Sequence, residues 1–189
     1  MSEISILAID LAKGSFQVCG VKADGSVVFN KSVLRPRLYQ LLAEQPHCFV
    51  AMEACATSHH WGRVAQSHGH EVRLIPAASV KPFVKRQKND RADAEAISEA
   101  ASRPSMRFVA VKSAEKQGRA VAFRTYQCCV RQRTQLINAL RGHLAEFGPV
   151  ALKGPASLKL PEQALAQPDV DLPSPVREMG SLYLDRSVV

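Results

Sequence analysis

Apolar residues fall in short runs through the first half of the chain and at helical spacing through the second. Ile4 to Asp10 is nearly continuous, β-branched and closed by an acid. That pattern predicts a buried strand delivering Asp10 at its C-terminal end. Phe16 to Lys22 predicts a second strand, Asp24-Gly25 a hairpin turn, and Ser26 to Lys31 a third strand. Arg37 to Glu44 reads as a short helix stopped near Pro46, and His47 to Met52 as a fourth strand followed by Glu53. Ser58 to His68 predicts a helix ended by Gly69, and Glu71 to Ile75 a fifth strand closed by Pro76. A basic stretch to Lys88 leads into a helix that runs to about Ser102. The order βββαβαβα implies an α/β protein, with a mixed sheet that starts as an antiparallel meander and has helices packed on its faces.

From Ser113 to Phe147 there is no proline, and the segment reads as one long helix or a pair, about 50 Å long if continuous. Val121, Cys128, Leu136, Leu140, Leu144 and Phe147 recur at roughly amphipathic spacing. From Pro149 to Val189 six prolines intervene, predicting a linker with one short helix over Pro175 to Arg186. The apolar pattern is still running where the chain stops.

Charge sharpens this picture. The net charge is +8, and between Arg103 and His143 nine Lys or Arg face a single acid, Glu115. So lopsided a stretch points to a polyanion, with nucleic acid as the common partner. With 46% hydrophobic residues the chain can bury a core, and no apolar run approaches the roughly 18 residues that span a bilayer. Nothing at the N-terminus reads as a signal peptide, so the expectation is a cytoplasmic protein with no membrane partner. The five cysteines show no metal or disulfide spacing and read as reduced thiols, Cys128-Cys129 as helix packing. The histidines read as loop and helix-end residues.

The densest chemistry lies in Lys88-Asn89-Asp90-Arg91-Ala92-Asp93-Ala94, where Asn89 or Asp90 can cap a helix. Residues at i and i+3 share a helix face, so Asp90 and Asp93 present their carboxylates side by side. A capped, solvated helix start accounts for an isolated pair of this kind. Asp10 and Glu53, however, both sit at the carboxyl ends of predicted buried strands, where sites in α/β sheets are built. If Asp10, Glu53, Asp90 and Asp93 converged, they would suit two hard cations, magnesium or manganese, about 3.5–4 Å apart on a phosphodiester. Spacing alone leaves open that each acid merely caps its own element.

The order of these acids resembles the RNase H-like nucleases of the RuvC type. More specifically, Ala8-Ile9-Asp10-Leu11-Ala12-Lys13, Met52 to Trp61 and the segment around Asp90 and Asp93 resemble the DEDD transposases of bacterial insertion sequences, relatives of the Piv invertase. The likeness extends through Gly69 to Pro76 with Val80 to Val84, and through Arg131 to Gly148. It implies an RNase H-like DEDD catalytic domain over 1–103, a basic helical extension over 104–148, and a Pro-rich linker with the start of a coiled-coil helix over 149–189. It further implies that Asp10, Glu53, Asp90 and Asp93 are catalytic metal ligands for Mg2+ or Mn2+ in DNA strand cleavage and transfer. Lys81, Lys85, Arg86, Lys88, Arg119, Arg124, Arg131, Arg133 and Arg141 would contact DNA or a structured guide RNA through the backbone. Members of the family are expected to self-associate.

Family members continue into a second domain carrying a serine nucleophile, which is not among these residues. The expectation is therefore an N-terminal half that binds metal and nucleic acid and does not complete recombination alone. Two further readings stay open, a non-catalytic nucleic-acid-binding remnant and a phosphotransferase of the actin and sugar-kinase type built around Asp10-Leu11-Ala12-Lys13-Gly14-Ser15.

Overall fold

A computed structural model describes residues 4–84, 89–150 and 159–187. The chain divides into two compact units at about Lys116.

The first unit is built on a five-stranded sheet in the order β3-β2-β1-β4-β5. β1 (Ile6–Asp10), β2 (Ser15–Val21) and β3 (Val27–Leu34) form the antiparallel meander. After α1 (Arg35–Glu44), β4 (Phe49–Glu53) returns beside β1 in parallel, with Ile9 opposite Met52. α2 (Ser58–Ser67) then leads to β5 (Glu71–Ile75), parallel to β4. A short helix, α3 (Ala77–Val80), and a 3₁₀ turn at Lys81–Phe83 follow, and α4 (Asp90–Ser102) completes the layer. The result is a mixed α/β sheet flanked by helices, compatible with an RNase H-like fold.

Side-chain alternation along each strand divides the core into two faces. Leu7, Ile9, Val18, Val50, Met52 and Leu74 pack with Leu38 and Leu42 of α1 and Trp61 and Ala65 of α2. Ile6, Ala8, Cys19, Val21, Ala51 and Ile75 face α4 through Ala94, Ala96, Ile97, Ala100 and Ala101. The α4 layer is rich in alanine on both sides, so the helix backbone lies close against β1. By the same alternation Asp10 and Glu53, two residues beyond Ala8 and Ala51, belong to the α4 face.

Several boundaries depart from the sequence expectation. β3 runs on to Leu34 and α1 starts at Arg35, because Pro36 is tolerated in a first helical turn, where no amide donor is needed. The basic stretch after β5 is partly helical, as α3. His70 is a core residue and not a helix-end one. Its ring meets the Cys48 amide at 3.4 Å and the Leu42 carbonyl at 2.8 Å, joining α1 to the sheet.

The second unit contains α5 (Ala114–Ala145), a single helix of 32 residues. Its buried positions are Leu140 and Leu144, which pack with Leu172 and, more loosely, with Leu165, Val176 and Tyr183. Val121 and Phe147, expected on a buried stripe, are exposed, and so are Cys128 and Cys129, which do not pack as anticipated. Two helices follow where one was expected, α6 (Lys159–Ala166) and α7 (Ser174–Ser187). Pro161 falls in the first turn of α6, which explains how a proline-rich segment accommodates it. The Arg177 guanidinium donates to the Leu165, Gln167 and Val170 carbonyls, closing the C-terminal end of α6.

Candidate metal centre

Asp10 is the last residue of β1, and Gln17 of β2 stands opposite it in the antiparallel register. Hydrogen bonding fixes the other contributor, the first turn of α4. Asn89 has extended backbone angles and its side-chain oxygen accepts the Ala92 amide at 2.8 Å, while its carbonyl accepts the Asp93 amide at 3.1 Å. This is an N-cap in the usual sense, satisfying amides that the helix itself leaves unpaired. It sets Asp90 and Asp93 in the first turn, where the positive end of the helix dipole favours carboxylates.

The two elements meet at their acids. One carboxylate oxygen each from Asp10, Asp90 and Asp93 lies within 4.8 Å of the others. Asp10 and Asp93 are half-buried and Asp90 is exposed, so the cluster opens to solvent and to any large substrate. Like charges at this distance repel by about 1 kcal/mol per pair even in bulk water, and by more near a protein surface. An all-oxygen set of this size and charge is what hard divalent cations take as ligands, and the residues present therefore fit such an ion.

Glu53 ends β4 on the same face and on the strand next to Asp10, but it is not one of the three acids that share the 4.8 Å cluster. The turn after it is tightly made. The Cys55 amide donates to the Glu53 carbonyl at 2.9 Å, and the Ser58 hydroxyl to the Cys55 carbonyl at 2.8 Å. Thr57 adopts φ 73°, a left-handed conformation that a β-branched side chain rarely takes, so the turn holds local strain. Burial raises the Cys55 thiol above the ordinary range, and the negative charges of Glu53 and Asp10 push it the same way.

Of the basic residues picked from the sequence, Lys81 opens the 3₁₀ turn and is exposed. Lys85, Arg86 and Lys88 lie outside the described residues. Arg119, Arg124, Arg131 and Arg133 are exposed along α5, and Arg141 is half-buried near its end.

Sequence reasoning passed over Gln17 and Asn30. Gln17 is 8% exposed, and its amide nitrogen donates to the Asn30 side-chain oxygen at 2.6 Å. The Asn30 nitrogen in turn donates to the Arg91 carbonyl and to a Glu95 carboxylate oxygen, each at 3.0 Å. A signal was available. Gln17 is polar in a strand that is apolar from Phe16 to Val21 apart from it, and asparagine is a poor strand residue that needs a reason to sit in β3.

Residues 7–149 match the family model DEDD_Tnp_IS110, described as transposase. Among curated proteins, a "Probable family 20 transposase" of Pseudomonas aeruginosa is 45% identical over 178 residues, covering 93% of this chain and 53% of that protein. The transposase for insertion sequence element IS1111A of Coxiella burnetii is 42% identical, covering 82% of this chain and 42% of its own length. The transposase for insertion sequence element IS1328 of Yersinia enterocolitica is 40% identical, with 84% and 48% covered. The chain spans about half the length of the curated relatives it matches.

Proposed function

Because the chain belongs to the DEDD transposase family of the IS110 type, we propose that it supplies the metal-dependent phosphodiester chemistry of an insertion-sequence transposase. In this reading Asp10, Glu53, Asp90 and Asp93 hold Mg2+ or Mn2+ at the end of β1. The observation that carries it is the convergence of Asp10, Asp90 and Asp93 within 4.8 Å, from elements some eighty residues apart in the chain.

When bound, a divalent cation would polarise a phosphodiester oxygen and stabilise the charge that develops during strand cleavage and transfer. The chain's own residues do the rest. Asn89 orders the helix start, the alanine layer under α4 brings it against β1, and the β4 register sets Glu53 on the same face. Exposure of Asp90 leaves room for a DNA backbone to approach the carboxylates.

DNA is the substrate under this proposal. Lys81, Lys85, Arg86 and Lys88 on the one hand, and the arginines of α5 on the other, would each contact nucleic-acid backbone. Pairing with a structured guide RNA and self-association belong to the same reading of the longer proteins. Residues 1–189 would contribute metal and nucleic-acid binding to that reaction. No helix among the described residues is long and apolar enough to cross a membrane.

Calorimetric titration with MnCl2 tests the proposal. The native chain should bind, and Asp90→Ala/Asp93→Ala should lose that binding while keeping its far-UV circular dichroism. Equal binding by both chains, or none by either, would remove the metal centre from this account.

A further inference from the structure

Gln17, Asn30 and Glu95 form a chain of side-chain hydrogen bonds from β2 through β3 into α4, and the direction of each bond is fixed. Asn30 faces two acceptors, the Arg91 carbonyl and the Glu95 carboxylate, each 3.0 Å from its amide nitrogen. Its NH2 must point to them, so its oxygen points back at Gln17, which can only answer with its own NH2, at 2.6 Å. Reversing either amide would set an oxygen against an oxygen.

The chain begins and ends at the carboxylates. Gln17 is the register partner of Asp10, and Arg91 lies between Asp90 and Asp93 in the first turn of α4. Glu95 is one turn further along, so Asn30 grips the helix at two successive turns from the sheet side. Gln17 is almost wholly buried and Asn30 half-buried, so the bonds to Gln17 and Glu95 are partly shielded from water, while the bond to the Arg91 carbonyl lies at the surface.

We propose that Gln17 and Asn30 are positioning residues of the metal centre. They hold the first turn of α4 against β1, so that Asp90 and Asp93 meet Asp10 at ligand spacing. This deepens the metal-site reading above and rests on it. Neither residue is a ligand. Groups bonded directly to metal ligands typically change metal affinity by about 10–100-fold when removed, and Asn30 acts one step behind such a position, through the Arg91 carbonyl between the two aspartates.

Asn30→Asp is the sharpest probe, since it keeps the shape and removes the donor. The carboxylate so introduced would still accept from Gln17 but would oppose the Arg91 carbonyl and the Glu95 carboxylate. Adding Glu95→Gln restores one donor–acceptor pair from the helix side. Gln17→Leu breaks the chain at its other end and carries the test should Asn30→Asp fail to fold. Mn2+ binding is followed by the EPR signal of the free ion, with far-UV circular dichroism as the check on folding.

The expected result is Mn2+ binding at least about tenfold weaker in Asn30→Asp at unchanged circular dichroism, partial recovery in Asn30→Asp/Glu95→Gln, and weakening in Gln17→Leu. If the native chain binds Mn2+ through Asp90 and Asp93 but Asn30→Asp and Gln17→Leu bind it equally well, the positioning role is overturned and the metal centre stands. If the native chain binds no Mn2+, the metal centre fails and the positioning role falls with it.

Discussion

At the scale of single residues, the polar positions explain more than the apolar ones. Asp10, Asp90 and Asp93 were legible because acids at the ends of apolar runs are conspicuous, and the structure brings those three together. Glu53 shared that signature yet stands outside the three-acid cluster. Asn30 was illegible because its partners are 61 and 65 residues away, and no local pattern encodes them. The buried thiols lead to a pH prediction. Burial lifts Cys48 to about 11 from an ordinary 9.0, and Cys19 likewise to about 11 with help from Glu95. Between those pH values the unfolded chain gives up thiol protons that the folded chain keeps, so the folded chain binds more protons. Stability therefore falls as pH rises from about 9 to about 11. Urea midpoints measured across that range should drop less in Cys48→Ala than in the native chain, and parallel curves would contradict this assignment.

At the scale of elements, the decisive feature is the small-residue seam between β1, β4 and α4. Ala8, Ala51, Ala94, Ala100 and Ala101 are all fully buried, so methyl groups make up much of the contact between helix and sheet there. The sequence announced these elements well, because runs of four to eight apolar residues bounded by Gly, Pro or Asp mark strands, and a capped alanine-rich stretch marks a helix. It did not announce α6 or α3, which are short and stabilised by tertiary contacts more than by pattern. Nor did the periodicity of α5 reveal that burial is confined to Leu140 and Leu144. Replacing Ala94 by Leu should overpack the seam and cost about 1–3 kcal/mol of stability in chemical denaturation. It should also weaken Mn2+ binding, because Ala94 directly follows Asp93. An Ala94→Leu chain with native stability and native affinity would show that the seam does not set the spacing of the acids.

At the scale of the whole molecule, charge is unevenly divided. Asp10, Asp90 and Asp93 cluster at the end of β1, while arginines line α5 in the second unit. The net charge of +8 favours association with a polyanion, and neutralising phosphates releases counterions. Binding to duplex or branched DNA should therefore weaken steeply with salt. Arg124→Ala/Arg131→Ala/Arg133→Ala should make the log–log salt slope shallower by about one for each phosphate no longer neutralised. Filter binding between about 50 and 200 mM NaCl, where such slopes are steep, would measure it. A slope unchanged by the triple substitution would assign the nucleic-acid surface elsewhere.

The central claim is that Asp10, Asp90 and Asp93 hold a divalent cation, and anomalous X-ray scattering from crystals grown with MnCl2 tests it most directly. The account predicts a manganese peak at the end of β1, with an oxygen from each of the three aspartates about 2.0–2.6 Å away. Ordered aspartates with no peak among them, or manganese bound only at other carboxylates, would contradict it.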